Sequence, residues 1–340
     1  MKAQIVACFP PATHDESAAR TERAKGKPPA PDILNSTAST RDASDATPEF
    51  LIHVSRYPRD AICTILRYHA RLNGEQLRVY AVGGDGIMFD CLNGLMGLPN
   101  TELAIVPRGT GNDFCRSFGA KNYARFQDIR QQIDAPSIPA DVIRCNGHYA
   151  LNFCALGAEA SALFSTLPLT KRFHDLRRKF THLNQLFYCA GGVRATLNDA
   201  LLHQQYEITA DGHKMSGEFV LLNIANARYY SVGSMVIAGA MPNDGVLDML
   251  TLRSIRRSYL YRNLRRYLTG NYRKSRPFNV DEKFCYQRVQ HIEISSPSPV
   301  TINLDGEAFF DSGATIDVLP NAVNVVNVGG VPYEEGWDVL

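Results

Sequence analysis

Two glycine-rich turns constrain what this chain can fold into. Gly83-Gly84-Asp85-Gly86 follows the apolar run 77–82 and precedes a helical pattern over 88–97. Arg108-Gly109-Thr110-Gly111-Asn112-Asp113 follows a second apolar run, 103–107, and again leads into a segment of helical character. The order is strand, loop, helix, twice over. Glycine at the carboxyl end of a buried strand lets backbone N–H groups approach an anion, and the helix start adds unpaired donors and a positive dipole end. Two such turns on neighbouring parallel strands line one crevice, at the end of the sheet where open α/β folds bind ligands. Neither turn has the spacing of a P-loop or of a G-x-G-x-x-G dinucleotide fingerprint.

Residues 2–9 read as a first strand, and 10–48, rich in Pro, Ala, Ser, Thr and Asp, as a loop or disordered insert. From 49 the pattern gives a strand to about 54, a turn over 56–59 and a helix begun by Asp60. With the two glycine units the order is β, α, β, α, β, hence a parallel sheet with helices on both faces. Around 135–139 the composition changes, and short β-like runs separated by turn residues argue a second domain of mainly antiparallel sheet. Helical inserts interrupt it at about 168–200 and 254–270. The expected division is an α/β domain over 1–134 and a β-rich domain over 135–320, with a cleft between them.

Composition bounds the class. Of the 340 residues, 45% are hydrophobic and 21% charged, a globular balance with length enough for two cores. The eight cysteines form no C-x-x-C pair and no Cys/His cluster, which disfavours a zinc or dithiol redox site and suits a reducing compartment. The apolar run before Pro10 is too short for a signal peptide and no run is long enough to span a bilayer, so a cytoplasmic protein with peripheral membrane contact is expected.

The net charge of +2 is unevenly spread: residues 251–276 hold nine Lys or Arg and no acid. Leu252, Ile255, Tyr259, Leu260, Leu264, Tyr267 and Leu268 recur there at helical spacing between arginines, a pattern that suits an anionic membrane surface. A shorter basic stretch at 171–180 reads equally well as a solvated helix face. No RRM, zinc-finger or helix-turn-helix pattern accompanies the charge, so nucleic acid is not an expected partner.

Taken together, GGDG and PRGTGNDF resemble the catalytic domain of the diacylglycerol kinase and sphingosine kinase superfamily of lipid kinases, whose signatures run GGDGT and P-x-G-(T/S)-G-N-D-F. The resemblance implies an NAD kinase/diacylglycerol kinase-like α/β domain and a tail, 321–340, that returns to it. It implies ATP and Mg²⁺ as cofactors, with a nucleotide site of Ser55, Gly83, Gly84, Asp85, Gly86, Ile87, Met88, Phe89, Thr110, Gly111, Asn112 and Asp113. Asp85 falls to the metal and water network. The family's general base lies in a D-G-E triplet, which this chain has as Asp305-Gly306-Glu307, so Glu307 becomes the base and Asp305 its supporting neighbour. On spacing alone Asp-Gly is a hairpin turn. A structural Mg²⁺ is implied at the turn 241–246, held by the Asp244 side chain and the carbonyls of Met241 and Val246; without the resemblance Asn243-Asp244-Gly245 is simply a turn.

The chain departs from the pattern at three places. Ile87 stands where the family has Thr, Phe89-Asp90 where it has Asn-Glu, and Phe9-Pro10-Pro11-Ala12-Thr13 where it has N-P-x-S-G. Each removes a polar nucleotide contact. The resulting expectation is a kinase that phosphorylates a lipid alcohol at an anionic membrane surface, docked through the basic helix around 252–276, with diacylglycerol the first choice. The alternatives are another lipid alcohol such as a sphingoid base, ceramide or phosphatidylglycerol, NAD, or a catalytically weak regulatory binding protein. A homodimer is compatible with this reading.

Overall fold

In the computed structural model the described residues are 4–9, 50–109, 111–119, 121–161, 197, 202–230, 233–268, 284–330 and 332–333. The expected insert over 10–48, the basic stretch 171–180, Thr110 and the 269–276 part of the basic segment lie outside them.

The first unit begins with β1 (Gln4–Phe9), which pairs in parallel with β2 (Phe50–Val54) on one side and β3 (Leu77–Gly83) on the other. β4 (Thr101–Pro107) continues the parallel ladder beside β3. The local order is therefore β2-β1-β3-β4, which reverses between β1 and β3, the place where open α/β sheets form a ligand crevice. Every residue of β3 is buried, as expected for a parallel strand covered on both faces. Helix α1 (Asp60–His69) follows β2 and helix α2 (Asp85–Leu95) follows β3. Eight of the eleven α2 residues are buried, so this helix lies within the structure and not upon it. The two helices meet at Gly94, where a Cβ would stand 3.1 Å from Ile65 Cδ1 and 3.2 Å from Ile62 Cα. A short helix, α3 (Ile129–Ile133), closes this unit, its Gln132 side chain donating to the carbonyls of Ile105 and Phe126.

The second unit is antiparallel throughout. It contains β5 (Ser137–Cys145), β6 (His148–Ala150), β7 (Phe153–Gly157), β8 (Gln204–Ala210), β9 (His213–Ala225), β10 (Leu247–Arg253), β11 (Phe284–Val289), β12 (His291–Leu304) and β13 (Glu307–Val326). Its core gathers Ile143, Leu156, Tyr206, Ile208, Phe219, Ile224, Met249, Ile292, Ile302 and Ile316, and Phe89 from α2 joins them. Among the described residues all thirteen strands form one sheet. The link is β13: its first half pairs with β12, its second half with β5, and Val325 lies parallel to Leu103 of β4. The segment after residue 320 thus brings Val323 and Val325 into the core of the first unit.

Helix α4 (Arg257–Leu268) differs in part from the membrane-facing amphipathic helix expected there. Leu260 and Tyr267 are buried in a core cluster with Ile255 and Leu252, and Tyr259 packs against it. The Tyr267 hydroxyl donates to Glu159 and accepts from Asn223. An apolar helical stripe is buried wherever the protein offers a complementary sheet face, and here β9 and β10 offer one. Tyr261, by contrast, is exposed.

Candidate active site

The two glycine turns lie against each other, backbone to backbone. A Cβ on Gly109 would stand 2.2 Å from Gly84 Cα and 2.8 Å from Gly84 N, a separation no side chain can occupy. The Gly83 carbonyl accepts N–H bonds from Arg108 and Gly109, both 2.8 Å. Asp85 completes the union, its carboxylate accepting from Asn112 N (3.1 Å) and Asp113 N (3.3 Å). A Cβ on Gly111 would meet the same carboxylate at 2.2 Å. Asp85 is therefore a latch between the turns. Its carboxylate faces backbone donors of the second turn, and these are what engage its oxygens. Burial pushes its pKa up, and the N–H donors oppose that rise.

The side chains of the second turn are also used internally. Asn112, at φ 52°, accepts from Gly109 N and donates to Gly109 O and to Tyr123 Oη. Asp113 accepts from Gly233 N at 2.7 Å and pairs with Arg116 at 3.4 Å, tying the turn to the second unit. Ile87 and Met88 are buried in the first core and Phe89 in the second, so only their backbones are placed to meet a ligand. Gly84 caps α2 with no side-chain acceptor for the first-turn N–H groups. The Ser55 hydroxyl, at the carboxyl end of β2, is buried with no partner. A helix start without a cap and an orphaned buried hydroxyl both fit the phosphate chain of a nucleotide.

On the other side stands the hairpin joining β12 to β13. Leu304 pairs with Glu307, and the two residues between, Asp305 at φ 48° and Gly306 at φ 94°, have the two left-handed conformations of a type I′ turn. Asp305 is buried, and its carboxylate accepts three backbone N–H bonds, from Leu151 (2.7 Å), Asn152 (3.0 Å) and Phe153 (2.9 Å). Burial pushes its pKa up to about 7 against the pull of those donors. This anchorage delivers Glu307 to α2: a Cβ on Gly86 would stand 3.3 Å from Glu307 Oε1. Burial raises the Glu307 pKa, Arg59 lowers it and Asp90 raises it further.

Arg59 is a residue that no motif marked. It precedes α1 at φ 72°, its N–H bonds Asp90 at 2.8 Å, and its guanidinium lies over the rings of Phe89 (5.0 Å) and Phe309 (5.4 Å). Sequence offers no signal for this, since the contact joins three distant segments.

The turn at 241–246 stands apart from these groups in its chemistry. Asp244 Oδ1 accepts from Val246 N at 3.3 Å, and Oδ2 is paired with the Arg288 guanidinium. The side chain that the resemblance assigns to Mg²⁺ is thus engaged by a cation and an N–H in this structure, and a bound ion would share or replace those contacts. Among the described residues no group of three or more His, Cys, Asp or Glu is arranged to hold a metal.

Comparison with known proteins accords with this geometry. The family described as diacylglycerol kinase catalytic domain matches residues 33–145, and the YegS C-terminal NAD kinase beta sandwich-like domain matches residues 171–327. Each part of the chain thus matches a domain family of the lipid kinases. The chain is 28% identical over 262 residues to the probable lipid kinase YegS-like of Shewanella frigidimarina (strain NCIMB 400), covering 73% of this chain and 76% of that protein. It is 26% identical over 231 residues to the diacylglycerol kinase of Bacillus subtilis (strain 168), covering 67% and 70%. A crystal structure of a diacylglycerol kinase from Bacillus anthracis str. Sterne superposes with a TM-score of 0.60 at 19% identity over 96% of this chain and 98% of that one, which shows a shared fold.

Proposed function

We propose that this lipid kinase family member transfers the γ-phosphoryl group of ATP to the hydroxyl of a membrane lipid, with diacylglycerol as the first acceptor and Glu307 as the general base. The reading is carried by one observation: Glu307 Oε1 lies against Gly86, at the uncapped N-terminus of α2. Phosphoryl transfer asks the protein mainly to position the phosphates, stabilise charge and accept a proton. In this reading the first-turn N–H groups of α2 and the Ser55 hydroxyl hold the phosphate chain. Glu307 takes the proton of the lipid hydroxyl as its oxygen attacks the γ-phosphorus and ADP leaves. The Mg²⁺ that travels with ATP offsets phosphate charge, and no ligand from this chain is assigned to it. Docking to an anionic bilayer falls to exposed Arg256 and Arg262 and the bases that follow them in sequence, since Leu260 and Tyr267 of the helix are buried.

The test is transfer of labelled phosphate from ATP to mixed micelles containing diacylglycerol, sphingosine, ceramide or phosphatidylglycerol, with wild type and Glu307→Gln compared. A lipid labelled by the wild type and at least 100-fold less by the variant supports the reading, in line with the loss of one acid–base group. Equal labelling by both removes Glu307 as the base, and no labelling of any lipid by folded protein removes the enzymatic reading.

A further inference from the structure

Four buried polar side chains stand together among apolar neighbours behind the turn that carries Glu307. The Tyr230 hydroxyl accepts from the Asn223 amide at 3.0 Å and lies 3.0 Å from the hydroxyl of Tyr267 on α4, which in turn donates to the Glu159 carboxylate. Polar groups are costly in such a core unless they bond one another, so the cluster holds its members in one arrangement. The backbone of Tyr230 is tied as well: it exchanges two N–H bonds with Ser234, of 3.0 and 2.9 Å. This bridge brings Gly233, at φ 86°, to the second glycine turn, where its N–H donates to Asp113 at 2.7 Å. The fit there is close. A Cβ on Gly233 would stand 3.3 Å from both Cζ and Nε of Arg116, whose guanidinium lies 5.2 Å over the ring of Tyr123, and the Tyr123 hydroxyl accepts from Asn112.

Tyr230 therefore reaches both halves of the site. Its ring lies 4.5 Å from that of Phe153, whose N–H holds the Asp305 carboxylate, and its bridge to Ser234 carries the N–H that holds Asp113. We propose that Tyr230 is a positioning residue for the nucleotide: with Ser234 and Gly233 it forms a strut that sets the second glycine turn against the turn carrying Glu307. The inference rests on the kinase reading for its catalytic meaning, and on these bonds alone for the strut. Helix α4 is part of the device through Tyr267, which fixes the buried end of the strut.

Amide hydrogen exchange reads the strut without any substrate. The reporters are the N–H groups of Asn112 and Asp113, both bonded to the Asp85 carboxylate. They should exchange at least about tenfold faster in Gly233→Ala, which drives a Cβ against Arg116, and also faster than wild type in Tyr230→Phe, which keeps the ring and the backbone and removes only the hydroxyl. Gly212→Ala is the control: at φ 82° with nothing within 4 Å of a Cβ, it brings the same backbone strain at a distance from the site. Protection at Asn112 and Asp113 that is unchanged in both variants, or lowered equally by Gly212→Ala, overturns the inference. In the transfer assay both variants should raise the KM for ATP at least about fivefold while the KM for lipid stays within about twofold, whereas a smaller fraction of folded protein would lower kcat and leave both KM values alone. Faster exchange with an unchanged KM for ATP overturns the inference as well. Faster exchange in a protein that phosphorylates no lipid leaves the strut standing and removes the kinase reading.

Discussion

Replacing Gly109 by alanine tests whether the glycines of the two turns serve close approach or backbone freedom. The added Cβ would lie 2.2 Å from Gly84 Cα, where ordinary contact begins at 3.4 Å, so the turns must part by roughly 1 Å. Four bonds cross that seam: Arg108 N and Gly109 N to Gly83 O, and Asn112 N and Asp113 N to the Asp85 carboxylate. Stretched by about an ångström, they pass beyond hydrogen-bonding range. A neutral bond contributes about 1 kcal/mol net and one to a carboxylate somewhat more. Water reaches Gly109, which is exposed, and repairs part of the loss, so a net destabilisation of about 2–4 kcal/mol follows. For a chain of this length the melting temperature should fall by about 3–6 °C, read by circular dichroism or calorimetry. Gly74→Ala is the control: it stands at φ 88° with nothing within 4 Å of a Cβ, so it loses only the conformational term of about 1–2 kcal/mol. Gly111→Ala should fall between the two, because the obstacle there is the end of the Asp85 side chain and not backbone. A Gly109→Ala protein as stable as Gly74→Ala, with wild-type transfer, would refute the seam.

Three further outcomes follow from the same geometry. Asp305→Ala orphans three backbone N–H donors around Leu151, Asn152 and Phe153 and should cost about 3–5 kcal/mol in urea denaturation, whereas Glu307→Gln should leave the urea midpoint within about 0.5 kcal/mol of wild type. Because burial raises the Glu307 pKa above its usual 4.5, a transfer reaction that needs the ionised base should fail as pH drops through that raised value, and its rate–pH profile should show an acid limb above the ordinary glutamate range. Arg78 is buried, paired with Glu102 at 2.7 Å and bonded to the carbonyls of Gln132 and Ile133, so Arg78→Met, which strands that carboxylate, should cost about 3–5 kcal/mol; a loss under 1 kcal/mol would show that Ser137, the carboxylate's other partner, suffices.

The fold was legible where the chain repeats a simple period. The strands ending at Gly83 and Pro107, the helix begun by Asp60 and the antiparallel character after residue 135 all follow from apolar runs bounded by turn residues. The Asp305-Gly306 turn was legible as a hairpin by its residues, and its type I′ geometry bears that out. What stayed hidden depends on pairings between distant segments. Asp85 could not be seen to engage Asn112 and Asp113, because a carboxylate beside a glycine turn looks the same whether it faces a cation or a backbone amide. Phe89 looked like a lost polar contact, but it is an apolar side chain supplied by one unit to the core of the other. The stripe of α4 had the right period, yet period alone does not say whether lipid or protein will cover it.

The path of β13 joins these observations. The strand begins at Glu307 and ends beside β4, the strand that delivers the second glycine turn. Glu307 and the second glycine turn are therefore joined through one hydrogen-bonded frame. The ladder with β5 is interrupted once, between Leu319 and Val323, where Asn321 stands at φ 50°. A β-bulge is where a strand bends readily, so this break is one place where the hairpin can rock relative to the glycine turns. Asp141, buried on β5, accepts from Asn321 N at 2.8 Å and from Gly245 N at 2.7 Å, and so restrains the bulge from both sides. The turn at 241–246 thus has a task in the folded chain that needs no bound ion. Through Asp141 it braces this break in the ladder of the strand that carries Glu307.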